Sequence, residues 1–513
     1  MVTARPIAKD MVPVFSEELD LLHTRLGLDG LPASTDFSLW ASGTAYFQRG
    51  KKCITVSGIT SGHPVAKAIR PTMRCGVSPE ETRSLLWEAN RSHLQRLEHE
   101  AIRFIHDVVN GTGRIPVVPF SGGKDSLAVS ILARQIIAAS DLLHVFADTG
   151  IEARDTHDFI TEFQDRNPKV PFLRVVPNIN FYQACELLGP PSRIKRWCCS
   201  TQKAFPLGAL YSALGSQTPV LSLCGVRRAE SVSRQKHERV LHSTKIADEI
   251  MISPIIDWSD AEVWAFILTK GVGVNRAYRR GYRRVGCMHC PHNSGWSEFL
   301  NSVYYPAQVS EWHDFVGSYY ERHSNMPTTD ASRRWKARAG GLSLSDVLAP
   351  VEMVQCQADP NAFSVTSPKG LPEELTEYLK PFGKVRVLRD DGLSLHAVIA
   401  DSQTGIELVD LLGSRPRGHI RFSIHSGNRR LLRQRLTRQV KKSLACVRCG
   451  LCQVTCPSGA ISCAVEYAID EVRCTHCLRC VTEISGGCVA AHATNVTGGA
   501  RRNGDNGTRT IQL

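Results

Sequence analysis

Apolar positions recur at three- and four-residue steps after Ser78, through Leu94, Leu97, Ala101, Phe104 and Val108, and predict a long helix. Ser78 caps it, Pro79 suits its first turn, Glu81 completes a capping box, and NGTG at 110–113 ends it. Upstream, residues 35–70 read as short β-rich pieces, with ITVSG alternating and SGHP turning. Downstream comes a short apolar strand, IPVVPF, then a glycine loop, the helical pattern LAVSILARQIIAA and a second apolar strand, LLHVFADTG. Strands and helices alternating at this spacing predict βαβ units on a parallel sheet, and the pattern runs to about residue 300.

Residues 301–350 look mainly helical. Residues 351–430 carry strand candidates KVRVL, LHAVIA and IRFSI, read as a small α/β spacer. From Asn428 to Leu444 a basic helix is expected, with Leu432, Leu436, Val440 and Leu444 on one stripe. Arg429, Arg430, Arg433, Arg435, Arg438, Lys441 and Lys442 surround that stripe. The expected organisation is an N-terminal β-rich region (1–77), a linker helix (78–113), an α/β catalytic domain (114–300), a helical extension (301–350), the spacer with its basic helix (351–440), a cysteine-rich domain (441–492) and a mobile tail (493–513).

Length agrees, since 513 residues exceed one core and suggest about three domains. With 42% hydrophobic and 22% charged residues the chain is neither disordered nor fibrous. No apolar run approaches the roughly 18 residues of a membrane span, and the first twenty residues lack the apolar stretch of a secretory signal, so the expectation is a cytoplasmic protein with no membrane partner. Eighteen cysteines in a reducing compartment point to metal or redox chemistry, and a formal charge of +13 suits either nucleic acid or anionic small substrates.

The strand ending at Phe120 runs into Ser121, Gly122, Gly123, Lys124, Asp125 and Ser126, and a helix follows. Two glycines, a helix N-terminus with unpaired N–H groups and a lysine suit a polyphosphate or another oxyanion, although no GxxxxGK[ST] occurs. SGGKDS after a strand resembles the PP-loop of the adenine-nucleotide α-hydrolase superfamily. ADTGIEARDTHDFI at 147–160, GVRRAESVSR at 225–234, SPIIDWSDAEVWAFI at 253–267 and GYRRVGCMHCP at 281–291 narrow the resemblance to the phosphoadenylyl-sulfate (PAPS) reductase branch, over about residues 114–300.

That resemblance implies a Rossmann-like (HUP-type) α/β fold, a parallel sheet with helices on both faces. It also implies that residues 121–126 hold the phosphates of ATP, PAPS or adenylyl sulfate, with magnesium as a candidate companion ion, and that Asp148 faces the nucleoside. Arg227, Arg228 and Arg234 match the family's anion-binding arginines, whose forked guanidinium suits sulfate and phosphate.

Adjacent Cys198 and Cys199, with Cys287 and Cys290, offer four thiolates from two distant loops, suited to zinc or an iron–sulfur cluster. The pattern looks like the [4Fe-4S] site of adenylyl-sulfate reductases and of the PP-loop enzymes of DNA phosphorothioation, and Lys203 matches a basic position between cluster and substrate. The Glu-Cys-Gly-x-His type motif that carries the nucleophile of sulfonucleotide reductases does not occur in these residues, and Cys356 reads as an incidental thiol.

Cys446, Cys449, Cys452 and Cys456-Pro457 form C-x2-C-x2-C-x3-C-P, a ferredoxin signature with zinc as the alternative. Cys474, Cys477, Cys480 and Cys488 repeat it with a longer last gap. Resemblance to bacterial two-cluster ferredoxins implies one [4Fe-4S] cluster on Cys446, Cys449, Cys452 and Cys488 and another on Cys474, Cys477, Cys480 and Cys456, three clusters in all with the central one. Cys463 is left to pack. The expected molecule is a PAPS-reductase-family redox enzyme fused to its own ferredoxin, fed by an electron donor protein or reductase and reducing PAPS or adenylyl sulfate to sulfite. The alternatives are an ATP pyrophosphatase that transfers sulfur to nucleic acid, and a redox-sensing nucleotide-binding protein.

Overall fold

The computed structural model describes residues 10–29, 36–59, 63–72, 78–193, 196–214, 219–232, 234–242, 246, 249–324, 335–336, 351–463, 465–482 and 496–497. The chain divides into two compact units, one formed by 1–182, 198–320 and 327–336 and the other by 183–197, 321–326 and 337–513. Among the described residues no helix is long and apolar enough to cross a membrane.

The first unit opens with β1 (Val12–Pro13), α1 (Ser16–Thr24), β2 (Trp40–Ser42), β3 (Ala45–Gln48), β4 (Lys51–Ser57) and β5 (Val65–Ala68), whose strands form an antiparallel sheet in sequence order. α2 (Pro79–Thr112) begins where Ser78 accepts the Glu81 N–H at 3.1 Å and ends at Gly113 in the left-handed region. Then follow β6 (Ile115–Pro119), α3 (Lys124–Ala133), β7 (Leu143–Ala147), α4 (Arg154–Arg166), β8 (Phe172–Val175), α5 (Phe181–Leu188), α6 (Phe205–Leu214), β9 (Val220–Leu223), β10 (Val240–His242), β11 (Ile250–Ile252), α7 (Asp260–Lys270), α8 (Arg276–Arg279), α9 (Gly295–Tyr304) and α10 (Pro306–Ser324), of which α5 from Gln183 and α10 from Glu321 count with the second unit. α3 stops before the end of its apolar pattern because the Ala133 carbonyl takes both the Ile136 and Ile137 N–H groups.

The second sheet runs β10-β11-β9-β6-β7-β8, parallel throughout except for β10 against β11. From β6 the chain builds outward to β7 and β8, then returns to the other side of β6 for β9. The sheet therefore has its switch point between β6 and β9, where loops leaving the carboxyl ends diverge and leave a crevice. Val14, Leu22 and Tyr46 of the N-terminal region share one apolar core with Ile105 of α2, Val118 of β6 and Trp264 of α7. The expected N-terminal region and linker helix are thus packed into the same unit as the α/β sheet.

In the second unit, β12 (Val351–Gln355), β13 (Ala362–Thr366), β14 (Lys384–Asp390), β15 (Ser394–Ala400), β16 (Glu407–Ser414) and β17 (His419–Ile424) pair in the order β14-β15-β16-β17-β13-β12, every neighbour antiparallel. Tight turns explain the antiparallel pairing: Asp391 accepts the Leu393 and Ser394 N–H groups, and Asp401 those of Gln403 and Thr404. β16 joins the three strand candidates of the sequence. The basic helix spans Arg429–Ala445, capped by the Asn428 side chain at 3.1 Å. Of its expected charged surround, Lys442 is buried. Of the expected tail, Val496–Thr497 lie parallel to β12, and the remainder falls outside the described residues.

Candidate active site and cysteine centres

The loop after β6 is shaped by its own side chains. Ser126 Oγ donates to the Gly123 carbonyl at 3.0 Å and accepts the Ser121 N–H at 3.2 Å. Gly122 sits at φ 70°, where a Cβ would lie 3.3 Å from a Thr156 methyl, so glycine is required on both conformational and steric grounds. Asn275 donates to the Gly122 carbonyl at 3.3 Å, and the Tyr278 hydroxyl accepts the Lys124 N–H at 3.0 Å.

Lys124 is buried, with Nζ 2.8 Å from Asp125 and 3.0 Å from Asp260. Burial works against its charge, but Asp125, Tyr278 and Asp260 outweigh that and leave its pKa raised. Burial likewise opposes the Asp260 charge, and Lys124 with Arg227 holds this carboxyl below its usual range.

Across the switch point, the loop after β9 presses against this one. A Cβ on Gly225 would meet the Asp125 carbonyl carbon at 2.7 Å, so the two backbones touch. Arg227 is 1% exposed, donating to Asp125 at 2.7 Å, Asp260 at 2.8 Å and the Trp258 carbonyl at 3.1 Å. Its guanidinium braces three protein segments. Arg228 pairs with Asp257 and donates to the His237 carbonyl, and Arg234 pairs with Glu230.

Beyond β7, Asp148 is buried; one oxygen accepts the Gly150 N–H at 2.8 Å and the other pairs with Arg174. Asp148, Glu152 and His157 place one possible ligand atom each within 4.8 Å of one another. A divalent ion such as magnesium would compete there with Arg174 on Asp148 and with Lys203, 3.6 Å from Glu152.

Cys287 meets this same loop. Cys287 pairs with Glu152 as an isolated bridge, the Met288 N–H donates to the Ile151 carbonyl at 2.8 Å, and the Cys287 thiol lies 3.6 Å from Glu152 Oε1 and 3.8 Å from Thr149 Oγ1. Cys198 and Cys199 stand at the mouth of a π-helical turn, Cys199–Ala204, that brings Lys203 to Cys287 and Glu152. Cys199, Cys287 and Cys290 all bear electrostatically on Cys198: the Cys199 hydrogen bond and burial push the Cys198 thiol well up. Burial and Glu152 push Cys287 up to about 11 against the pull of Lys203, while Cys287 and Glu152 raise the Lys203 ammonium against its own burial.

The segment leading into Cys287 is clamped along its length. Beyond Asn275 and Tyr278 on the phosphate loop, Arg279 binds Glu17 at 2.7 Å and Asp36 at 3.0 Å, and Arg283 binds the fully buried Glu18 at 2.9 and 2.6 Å. Asp260, Asn275, Tyr278, Glu152 and Thr149 were not singled out from sequence. Asp260, Glu152 and Thr149 lie inside the quoted motifs, which was the available signal; Asn275 and Tyr278 lie outside them.

In the second unit the two C-x2-C-x2-C runs share one backbone path. Arg448 and His476, each two residues past a first cysteine, have φ 51° and 53°; Gly450 and Leu478, each one past a second cysteine, have φ 75° and 60°. A left-handed arginine, histidine and leucine are costly, and recur where a site demands them. Cys456, Cys474, Cys477 and Cys480 line one cavity with Ile461 and Ile469. Cys488 lies outside the described residues. Cys463 lies 3.6 Å, sulfur to sulfur, from Cys452.

Residues 115–293 match the family described as phosphoadenosine phosphosulfate reductase domain. An uncharacterized protein of Methanocaldococcus jannaschii is 30% identical over 245 residues, 48% of this chain and 50% of its own. The chain thus spans about half the length of the curated relatives it matches first. Adenosine 5'-phosphosulfate reductase of Staphylococcus epidermidis is 27% identical over 172 residues, 33% of this chain and 68% of its own. Among solved structures, phosphoadenylyl-sulfate reductase from Candida auris in a phosphate complex aligns with TM-score 0.30 at 17% identity, covering 39% of this chain and 96% of that one.

Proposed function

We propose that this chain, whose residues 115–293 carry a PAPS reductase domain, binds an adenine nucleotide on the loop 121–126 and performs iron–sulfur-dependent reductive sulfur chemistry. The first reading is reduction of PAPS or adenylyl sulfate to sulfite. The observation that supports it most is Cys287 against Glu152 and Thr149 beyond the carboxyl end of β7, with Lys203 3.6 Å from Glu152 and with Cys199, Cys287 and Cys290 bearing electrostatically on Cys198, on the side of the sheet that also carries the phosphate loop. Four soft thiolate donors suit a cluster, as do the two like-folded cysteine runs of the second unit. Bound clusters would supply one-electron carriers.

The protein's own groups account for the rest. The Ser121–Ser126 backbone and the α3 N-terminus would take phosphate oxygens. Lys203, oriented by Glu152, would present its ammonium to the sulfate end. Reduction takes sulfur from the +6 to the +4 state: the bond from sulfur to the bridging oxygen breaks, two electrons and protons enter, and sulfite and the adenosine phosphate leave. Two electrons from a low-potential donor protein match two one-electron clusters.

Sulfur transfer to nucleic acid after ATP cleavage is the second reading, favoured by the exposed Arg429 and Arg430 of the basic helix. Anaerobic, reduced protein is incubated with PAPS, adenylyl sulfate or ATP, and sulfite and pyrophosphate are measured. Sulfite without pyrophosphate is expected; pyrophosphate released only with a nucleic acid acceptor would replace the reductase reading with the second.

A further inference from the structure

One lysine of the basic helix is turned away from solvent. Lys442 is 2% exposed. Its Nζ donates to the Tyr467 hydroxyl at 3.0 Å and lies 4.6 Å from the centre of that ring and 5.8 Å from that of Tyr378. The two tyrosines are stacked, with centroids 3.9 Å apart and planes 8° from parallel, and each is 1% exposed. The charge of the same ammonium bears on the Cys452 and Cys480 thiols. Cys463 approaches Cys452 from its own strand end at 3.6 Å, and Cys446 bears on the Tyr378 hydroxyl, helping burial to raise its pKa. Two ligand-type sulfurs of the first cysteine run therefore have groups gathered about them from three different segments of the unit.

Burying an ammonium is unfavourable, and a methionine would fill the space between helix and tyrosines without that cost. Negative charge on the cysteine sulfurs that its field reaches would help to balance it. A cluster's reduction potential follows its net charge, the hydrogen bonds to its sulfurs and its exposure. A cation held beside a ligand sulfur, away from water, favours the reduced form because that form carries one more negative charge.

We propose that Lys442 is the tuning cation of the C-terminal cysteine module and raises the reduction potential of the cluster held through Cys446, Cys449 and Cys452, with Tyr378 and Cys463 as uncharged donors to the same sulfurs. The proposal rests on reading the tail cysteines as cluster ligands. Lys442 acts through those sulfurs and touches no substrate, so it is a positioning residue whose signature is a potential.

Full-length protein, reconstituted anaerobically, is assayed for iron and acid-labile sulfide and titrated redox-potentiometrically with electron paramagnetic resonance detection. Lys442→Met should keep its iron and shift one tail-cluster midpoint to lower potential. Lys442→Arg should restore the wild-type midpoint, and Lys441→Met, one residue along the same helix, should leave it unmoved. An unchanged midpoint in an iron-replete Lys442→Met protein overturns the proposal, as does an equal shift in Lys441→Met. Should Lys442→Met fail to fold, Lys442→Gln keeps a donor toward Tyr467 and Cys452 without the charge, and its midpoint decides by the same criterion. Wild-type protein that takes up zinc instead of iron at these cysteines would remove the cluster reading itself, an outcome separate from an unmoved midpoint.

Discussion

Replacing Arg227 by methionine removes a guanidinium that joins the phosphate loop to the loop after β9 and to the start of α7. Three hydrogen bonds disappear, to Asp125 at 2.7 Å, to Asp260 at 2.8 Å and to the Trp258 carbonyl at 3.1 Å. Removing one partner of a buried charge pair costs about 3–5 kcal/mol. Here Asp125 and Asp260 are 22% and 27% exposed, and Lys124 still faces both, so the lower end applies. About 3 kcal/mol is roughly two decades in the folded-to-unfolded ratio. At roughly 2–3 kcal/mol per molar it moves a urea midpoint down by about 1 M. The assay is urea unfolding followed by tryptophan fluorescence, with nucleotide affinity measured by calorimetry below the transition. The expected result is a lowered midpoint in the nucleotide-free protein. A wild-type midpoint together with a tenfold or greater loss of nucleotide affinity would refute the brace and put the guanidinium on the ligand.

Three further outcomes are expected. His144 is fully buried, its Nδ1–H donating to the Leu142 carbonyl at 3.1 Å and its Nε2 accepting from Ser130 at 2.8 Å; burial lowers its pKa to about 4. Below about pH 6.5 the unfolded chain therefore binds a proton that the folded one refuses, so stability falls with pH, by roughly 3 kcal/mol on reaching pH 4; His144→Gln should flatten that part of the denaturation–pH curve, and an unchanged slope would clear His144. Gly225→Ala drives a Cβ to 2.7 Å from the Asp125 backbone and should cost about 1–3 kcal/mol and weaken nucleotide binding, whereas Gly111→Ala, with nothing within 4 Å, should do neither; equal thermal shifts in the two would dismiss the close approach. Reconstituted protein should hold roughly 12 irons per chain, Cys290→Ser about 4 fewer, and Cys463→Ser the full number; iron loss in Cys463→Ser would make that thiol a ligand.

Features that depend on near neighbours were legible in the chain. The Ser78 cap and the Gly113 terminus of α2 and the strand–loop–helix around SGGKDS follow from residues a few positions apart, and the alternation of strands and helices pointed to the parallel sheet. The spacing within each cysteine run is equally local, and its repeat reappears as matching left-handed positions at Arg448 and His476. Short-range sterics and hydrogen bonding act wherever the chain goes, so sequence alone carries them.

What a charge faces is another matter. GVRRAES read as a set of anion-binding arginines, yet Arg227 is committed to carboxylates 102 and 33 residues away. Lys442 read as one more charge on a solvated helix and is buried against Tyr467 and Tyr378, where its charge bears on Cys452. Lys203 and Cys287 had no reason in their own segments to meet; the π-helical turn on one side and the clamped Asn275–Arg283 segment on the other bring them to Glu152. The interaction of a charge or a thiolate is set by dielectric and by partners within a few ångströms, and only the folded chain determines which segments supply them.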